Sequence, residues 1–157
     1  MPKESAGLLP YRRRGGFLEV FLVHPGGPFW ANKDDGAWSI PKGEFHANED
    51  PLSAAKREFR EETGQVAQGE YWPLEPVRQK GGKIVYAWAV QSDIDAEAVK
   101  SNTFSLEWPP GSGKKRDFPE IDRAEWFRID LAKRKILKSQ LILVEQFEEA
   151  LLSRQCE

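Results

Sequence analysis

The stretch GEFHANEDPLSAAKREFREETG, residues 43–64, decides the fold because it contains a helix whose two ends are marked by their residue types. Asp50 can accept hydrogen bonds from free backbone amides, and the proline that follows it suits the first turn of a helix. Gly64 is a natural stop, since glycine tolerates the backbone conformation that ends helices. The stretch therefore predicts a helix from Pro51 to about Thr63.

The two faces of this helix differ in chemistry. One is a narrow apolar stripe that needs a sheet to pack against: Leu52, Ala55 and Phe59. The other holds three carboxylates within an arc of about 100°: Glu58, Glu61 and Glu62. At ~5–6 Å and an effective dielectric near 20, each close pair repels by roughly 3 kcal/mol before screening. Hard divalent cations would compensate this charge. A solvated helix offers the alternative, with the glutamates paired to Lys56, Arg57 and Arg60.

The rest of the chain alternates between apolar runs and turn-forming residues. The apolar runs predict strands at residues 6–11, 17–24, 37–40, 71–79, 84–91, 104–108 and 125–129. Polar, Gly- and Pro-rich segments predict loops at residues 25–36 and 109–120. Helical spacing predicts a short excursion at 93–100 and an amphipathic helix at 139–152. Strands around one early helix, with a second helix late, indicate an α/β fold with a mixed β-sheet sandwiched between helices.

Length and composition limit the classes of function. The 157 residues fit one domain over residues 1–157. Because 23 Lys and Arg face 25 Asp and Glu, the net charge of -2 argues against long nucleic acid or an anionic membrane as partner. No apolar run approaches the roughly 20 residues that span a bilayer. The lone Cys156 excludes an intrachain disulfide and a cysteine-based metal site. We therefore expect a soluble, cytoplasmic protein.

Seven positions stand at the spacing G-x5-E-x7-R-E-x-x-E-E-x-G: Gly43, Glu49, Arg57, Glu58, Glu61, Glu62 and Gly64. In this spacing the chain resembles the Nudix hydrolases, which carry it as their signature. The preceding WSIPKG, residues 38–43, is similar to that of family members that hydrolyse dinucleoside tetraphosphates asymmetrically. The whole chain also looks like small bacterial members described as predicted NTP pyrophosphohydrolases. The resemblance implies the Nudix α/β/α sandwich. One position departs from the family pattern, because Gln65 stands where an aliphatic residue is usual.

The resemblance also implies roles for the motif residues. The ligands of Mg²⁺ or Mn²⁺ would be three carboxylates and one backbone carbonyl: Glu58, Glu61, Glu62 and Gly43. Arg57 would hold a motif glutamate by a salt bridge, with Glu49 or Glu61 as its partner. The implied reaction is attack of water on phosphorus in a diphosphate linkage. Its general base would be Glu58 or Glu61, or else Glu120 from the loop at 109–120, which is equally well a plain surface residue.

Residues that would bind the substrate are less specific. Lys42, next to the motif, is placed to meet a phosphate as a point charge, or is a solvated turn lysine. Three aromatic residues would stack on a nucleobase or else belong to the core: Trp30, Trp38 and Tyr86. The basic residues 114–116 would steer polyphosphate or merely solubilise their loop. His24 and His46 lack the spacing of metal ligands, and we expect them to be incidental.

Three functions remain open at this point. The first is metal-dependent hydrolysis of a diphosphate linkage in a dinucleoside polyphosphate or a nucleoside triphosphate. The second is a non-catalytic module that binds a nucleotide. The third is a hydrolase for oxidised nucleoside triphosphates, nucleotide sugars or a capped RNA end. In each case we expect a small-molecule nucleotide as partner, no membrane, and a monomer or homodimer.

Overall fold

The computed structural model of the chain describes residues 3–155 and contains a seven-stranded sheet and a separate two-stranded sheet. The strands are β1 (Glu4–Arg14), β2 (Phe17–Pro25), β3 (Lys42–Glu44), β4 (Tyr71–Pro73), β5 (Val77–Arg78), β6 (Ile84–Gln91), β7 (Thr103–Glu107), β8 (Lys115–Pro119) and β9 (Ile121–Arg128). The helices are α1 (Pro51–Thr63), α2 (Ile129–Lys135) and α3 (Leu141–Gln155). Cys156, on which the expectations about disulfides and cysteine ligands rest, lies outside the described residues.

Strand β1 lies at the centre of the main sheet. One of its edges pairs in parallel with β6, and β4 and β5 pair antiparallel with β6. The other edge is shared, because Ser5 to Gly7 pair with β3 whereas Tyr11 to Arg14 pair with β2. Strand β2 in turn pairs with β9. Among the strand pairs within residues 3–155, only β1–β6 is parallel, so the sheet is mixed, as the sequence indicates.

Alternate residues of β1 and β2 point into two separate cores on opposite faces of the sheet. Leu8 and Phe21 pack in one core with Phe59 of α1, whose full burial contributes roughly 1.5–3 kcal/mol. Leu9 and Leu22 pack in the other core. The helices α2 and α3 close that second core with apolar residues: Ala132, Ile136, Leu143, Val144 and Phe147. Helices therefore cover both faces, which confirms the predicted α/β/α sandwich. Within residues 3–155, no helix has the length and apolarity needed to cross a membrane.

Helix α1 begins and ends where its flanking residues predict. The Asp50 carboxylate accepts from the backbone N–H of Ser53 at 3.0 Å, which satisfies one of the free amides of the first turn. Gly64 adopts a left-handed conformation with φ of 75°, and its N–H donates to the carbonyl of Arg60 at 2.8 Å. The motif is therefore mounted on a helix with two defined ends.

The structure departs from the expectations at three places between residues 71 and 135. Residues 109–120 are not one long loop, because Lys115–Pro119 forms β8 and pairs with β7. The Gly and Pro signals belong only to the tight connection between these two strands. Helix α2 has no counterpart among the predictions, since it spans a single stretch of 7 residues and Arg128 provides no side-chain cap for its start. The predicted strand at 71–79 is interrupted between β4 and β5, where Pro76 cannot donate to a ladder.

Candidate active site

Strand β3 lies directly on the acidic face of helix α1. A Cβ at position 43 would overlap the carboxylate of Glu58, so any residue larger than glycine here would displace that side chain. One residue earlier, the backbone N–H of Lys42 donates to Glu62 Oε1 at 2.8 Å. The structure thus brings the glycine and two of the glutamates of the predicted metal site into contact.

Arg57 is the centre of the acidic face. Its Nε and Nη2 donate to the two carboxylate oxygens of Glu49 at 2.8 and 2.9 Å, a bidentate pair that fixes the loop before α1 to the helix. Its Nη1 donates to Glu58 Oε1 at 2.8 Å and, more loosely, to both oxygens of Glu61 at 3.3 Å. The sequence offers Glu49 or Glu61 as the partner of Arg57, and the guanidinium contacts both and Glu58 as well. These bonds raise the pKa of Arg57 and lower the pKa of Glu49.

Burial shapes the protonation of the site. It raises the pKa of Glu62 to about 8, more than the hydrogen bond from the Lys42 backbone can offset, and the carboxylates of Glu58 and Glu120 add to the rise. Burial likewise raises the pKa of Glu58, against the hydrogen bond from Arg57. The pKa of Lys42 is lowered by burial, although the Glu62 carboxylate opposes that change. Poorly solvated acidic and basic groups therefore meet here, which is typical of functional sites.

A cavity of about 150 Å³ lies between this face and the start of β9. Lys42 and Glu62 line it on one side and Glu120 lines it on the other. Glu120 lies between β8 and β9, where its carbonyl accepts from Gly26 N–H at 2.8 Å and its N–H donates to the Asn102 carbonyl at 2.9 Å. Glu120, the predicted loop carboxylate, therefore lies at the same cavity as Glu62 of the motif, although 58 residues separate the two in sequence.

Beyond Arg57 the site opens into a wide depression of about 710 Å³. The residues that line it belong to β3, to the loop before α1 and to α1 itself: Glu44, His46, Asn48, Glu49 and Arg57. This volume falls in the range of pockets that hold nucleotide-sized molecules. The acidic face therefore has room for a substrate beside it.

The donor set of this face fits a hard divalent cation. It consists of carboxylate oxygens, which are ligands that Mg²⁺ prefers. Two of the carboxylates have raised pKa values, so a nearby positive charge would favour their ionised form. Among the described residues, no three acidic, His or Cys side chains form a ready-made ligand cage. Arg57 bonds one oxygen of Glu58 and, more loosely, both oxygens of Glu61, so a cation at this face would share these carboxylates with the guanidinium.

The expectation that Trp38 stacks on a nucleobase is wrong. The indole is only 1% exposed and packs edge-on against His24 and Phe127 at centroid distances of 5.1 and 4.9 Å. Its Nε1 donates to Asp34 Oδ1 at 2.9 Å. Trp38 is therefore a core residue that supports the cavity wall at the neighbouring Ser39.

The other two aromatic candidates have different environments. Tyr86 is half-buried on β6 and meets Phe45 edge-on at 6.0 Å. Both Tyr86 and Gly43 pair with Ala6, one on each side of β1, so the tyrosine lies two strands from the motif glycine. Trp30 packs partly against the core, with the Lys33 ammonium 5.0 Å from its ring centre. Of the two, Tyr86 is the one near the acidic face, and its contact with substrate stays a prediction.

His24 is a residue that sequence reasoning missed. Its ring is fully buried, with Nδ1 2.7 Å from Asp122 Oδ1 and Nε2 2.7 Å from the Lys33 carbonyl oxygen. It therefore ties the 25–36 loop to β9, two residues beyond Glu120. No signal along the sequence predicts this contact, because 98 residues separate the histidine from its aspartate. His46 is exposed, and its carbonyl accepts from Glu49 N–H at 2.9 Å.

Comparisons with known proteins bear on the family and the fold. The family model described as NUDIX domain matches residues 1–147. A protein of Bartonella henselae named RNA pyrophosphohydrolase is 30% identical, and the match covers 78% of each chain. The Ap4A hydrolase of C. elegans superposes with a TM-score of 0.63 at 23% identity, over 96% of this chain and 98% of that one. The NUDIX domain of Shewanella oneidensis NrtR, complexed with ADP ribose, superposes with a TM-score of 0.67 at 18% identity, over 96% and 89%.

These two structural matches establish a shared fold, and the family model covers most of the chain including the whole motif. The Arg57-centred acidic face therefore lies within the part of the chain that the family model matches. The chain belongs to the Nudix hydrolase family, and within it to the pyrophosphohydrolases.

Proposed function

We propose that this chain hydrolyses a diphosphate linkage in a nucleoside polyphosphate, with dinucleoside polyphosphates as the first candidates and nucleoside triphosphates as the next. The observation that carries the proposal is the cluster of partly buried carboxylates around Arg57 and Gly43, beside both a cavity and an open depression. In the reaction the oxygen of water bonds to one phosphorus, and the bridging P–O bond breaks to release a nucleotide and the remaining phosphate portion.

The motif carboxylates are the proposed metal ligands. Mg²⁺ or Mn²⁺ would be held by three side chains and one carbonyl: Glu58, Glu61, Glu62 and Gly43. A bound divalent cation neutralises phosphate charge and lowers the pKa of the attacking water. The chain supplies the geometry, because Arg57 holds Glu58 and Glu61 from one side while the Lys42 amide fixes Glu62 from the other.

Glu120 is the proposed general base. Its side chain is exposed at the edge of the cavity, whereas Glu58 and Glu61 both accept hydrogen bonds from Arg57. It would accept the proton of the attacking water as the new O–P bond forms. Lys42 lines the same cavity and forms no salt bridge with any described residue, so its ammonium is available to a phosphate oxygen.

The 5′ end of an RNA is a second candidate substrate. The relative named RNA pyrophosphohydrolase favours it, and the net charge of -2 makes a short end more plausible as ligand than a long chain. Oxidised nucleoside triphosphates and nucleotide sugars share the same linkage. A module that only binds nucleotides has no need of the full carboxylate set, and this chain retains every motif carboxylate.

The experiment is a substrate panel tested with Mg²⁺, with Mn²⁺ and with EDTA. The panel contains diadenosine tetraphosphate, ATP, 8-oxo-dGTP, a UDP-sugar, ADP-ribose and a triphosphorylated RNA pentamer. Glu58→Gln and Glu62→Gln should each lower kcat by at least about 100-fold. Glu149→Gln, on α3 across the sheet, is the matched control and should keep full activity. Near-normal turnover by both site variants would refute the proposal, and metal-dependent nucleotide binding without any turnover would favour the binding module.

A further inference from the structure

The β7–β8 hairpin stands apart from the main sheet and rises from the edge of the active site. In the described part of the chain, its two strands pair with each other and with no other strand. Its base is fixed by the hydrogen bonds of Glu120, which directly follows β8 and lines the cavity. The base of the hairpin therefore adjoins the proposed general base, whereas Trp108 and Lys114 lie at its other end, roughly 20 Å away at about 3.3 Å per residue.

One face of the hairpin combines aromatic and cationic side chains. The pairing register places Phe104 opposite Phe118 and Leu106 opposite Arg116, and the amide of Trp108 bonds the carbonyl of Lys114. Because side chains alternate along a strand, these side chains share one side, here called the hairpin face: Phe104, Leu106, Trp108, Lys114, Arg116 and Phe118. The Arg116 guanidinium lies 5.7 Å from the Phe118 ring centre, and the two Phe rings lie 6.0 Å apart.

The hairpin face remains partly open to solvent. The loop after β2 touches it at two points, where Gly27 approaches the Phe104 ring and Phe29 meets Trp108 edge-on at 5.7 Å. All four apolar members of the face are only half-buried, and Phe29 beside them is 61% exposed. An accessible aromatic surface of this kind lies next to the active site rather than inside either core.

The charge of the hairpin complements a phosphate chain. Lys114, Lys115 and Arg116 are consecutive and exposed, and none forms a salt bridge within the part of the chain that the structure describes. Lys114 and Arg116 lie on the hairpin face, whereas Lys115 points to the other side together with Asp117. Stacking rings beside cations recognise a nucleobase joined to a phosphate, since bases stack on aromatic rings and phosphates pair with Lys and Arg.

We propose that the hairpin face binds the nucleotide portion of the substrate that extends beyond the phosphates at the acidic face. A base packs on Trp108 and the adjoining Phe29, while Arg116 and Lys114 meet the phosphate next to it. This inference rests on the proposed function, and it extends that function by assigning a second contact region. The second nucleoside of a dinucleoside polyphosphate and the first nucleotides of an RNA end carry the same chemistry.

The test compares one short and two extended substrates. KM and kcat are measured for ATP, diadenosine tetraphosphate and a triphosphorylated RNA pentamer with Trp108→Ala, Arg116→Ala and the control Lys115→Ala, which removes the same charge from the opposite side of β8. For the extended substrates, Trp108→Ala and Arg116→Ala should each raise KM about tenfold with kcat unchanged. For ATP the two variants should match the parent. A loss confined to the pentamer identifies an RNA end, and a loss confined to the tetraphosphate identifies a dinucleotide.

Binding without catalysis provides a second readout. The fluorescence anisotropy of a labelled triphosphorylated pentamer is measured in EDTA, with unlabelled diadenosine tetraphosphate as competitor. The same tenfold weakening should appear in Trp108→Ala and Arg116→Ala. Equal losses for ATP, equal losses in Lys115→Ala, or unchanged KM and binding in all variants would overturn the inference. A parent protein that hydrolyses nothing refutes the proposed function alone, because the binding measurement still decides the role of the hairpin face.

Discussion

Glu62→Gln is expected to stabilise the metal-free protein while removing its turnover. The Glu62 carboxyl is largely buried, and its pKa rises from 4.5 to about 8. Below about pH 4.5 it is protonated in both the folded and the unfolded chain, and it costs no stability. As the pH rises toward 8, the unfolded carboxyl ionises while the folded one keeps its proton, so the free energy of unfolding falls.

The size of this effect follows from the same pKa values. Each unit of pKa difference corresponds to about 1.4 kcal/mol, so the parent loses on the order of 4 kcal/mol at pH 8 but only about 1 kcal/mol at pH 5. Glutamine does not ionise, and its Oε1 retains the ability to accept from the Lys42 amide. The variant should therefore be more stable than the parent by a margin that grows from pH 5 to pH 8.

The assay is urea unfolding in EDTA, followed by tryptophan fluorescence at several values between pH 5 and pH 8. Glu61→Gln is the control, because it lies on the same helix face with 43% of its side chain exposed. Its stability should stay within about 1 kcal/mol of the parent. A parent-to-variant difference for Glu62→Gln that is equal at pH 5 and pH 8 would refute the reasoning. Added Mg²⁺ should stabilise the parent more than the variant, since ligation favours the ionised carboxylate.

Three further substitutions test the surrounding framework. Arg57→Lys removes the bidentate bonds and should lower kcat at least about tenfold with an unchanged circular dichroism spectrum, whereas Arg60→Lys on the same helix should have no effect. Gly43→Ala forces a Cβ into the Glu58 carboxylate and should weaken Mg²⁺ binding about tenfold by calorimetry, and parent-like affinity would contradict this. His24→Ala removes a fully buried ring together with its contacts to Asp122 and the Lys33 carbonyl and should cost roughly 2–4 kcal/mol in urea unfolding, and a loss below about 1 kcal/mol would contradict a structural role.

Local signals explain why helix α1 could be predicted to the residue. Its cap, its stop and its two faces all lie within one short stretch, so no distant contact is needed to read them. The acidic face could be recognised for the same reason. Periodicity alone does not decide whether the acidic face binds a metal or is simply solvated. The expected roles of its residues came from the family spacing.

Contacts between distant segments explain the failures. The sequence leaves Trp38 open between a stacking surface and the core, and only its packing against His24 of β2 and Phe127 of β9 assigns it to the core. Strand β8 could not be predicted because charged residues dominate its sequence. Its extended conformation depends on pairing with β7. Glu120 lies at the cavity because it directly follows β8. The sequence could therefore identify Glu120 as a candidate but could not predict where it lies.

Arg57 also serves as a resident counter-ion. With three carboxylates bonded to one guanidinium, the acidic face is already neutralised in part before any metal arrives. The chain can therefore fold without a metal cation, and a metal ion that binds here must compete with the Arg57 guanidinium for the carboxylates. We expect the affinity for Mg²⁺ to be weaker than the number of acidic groups suggests, which would let the ion leave with the phosphate product in each cycle.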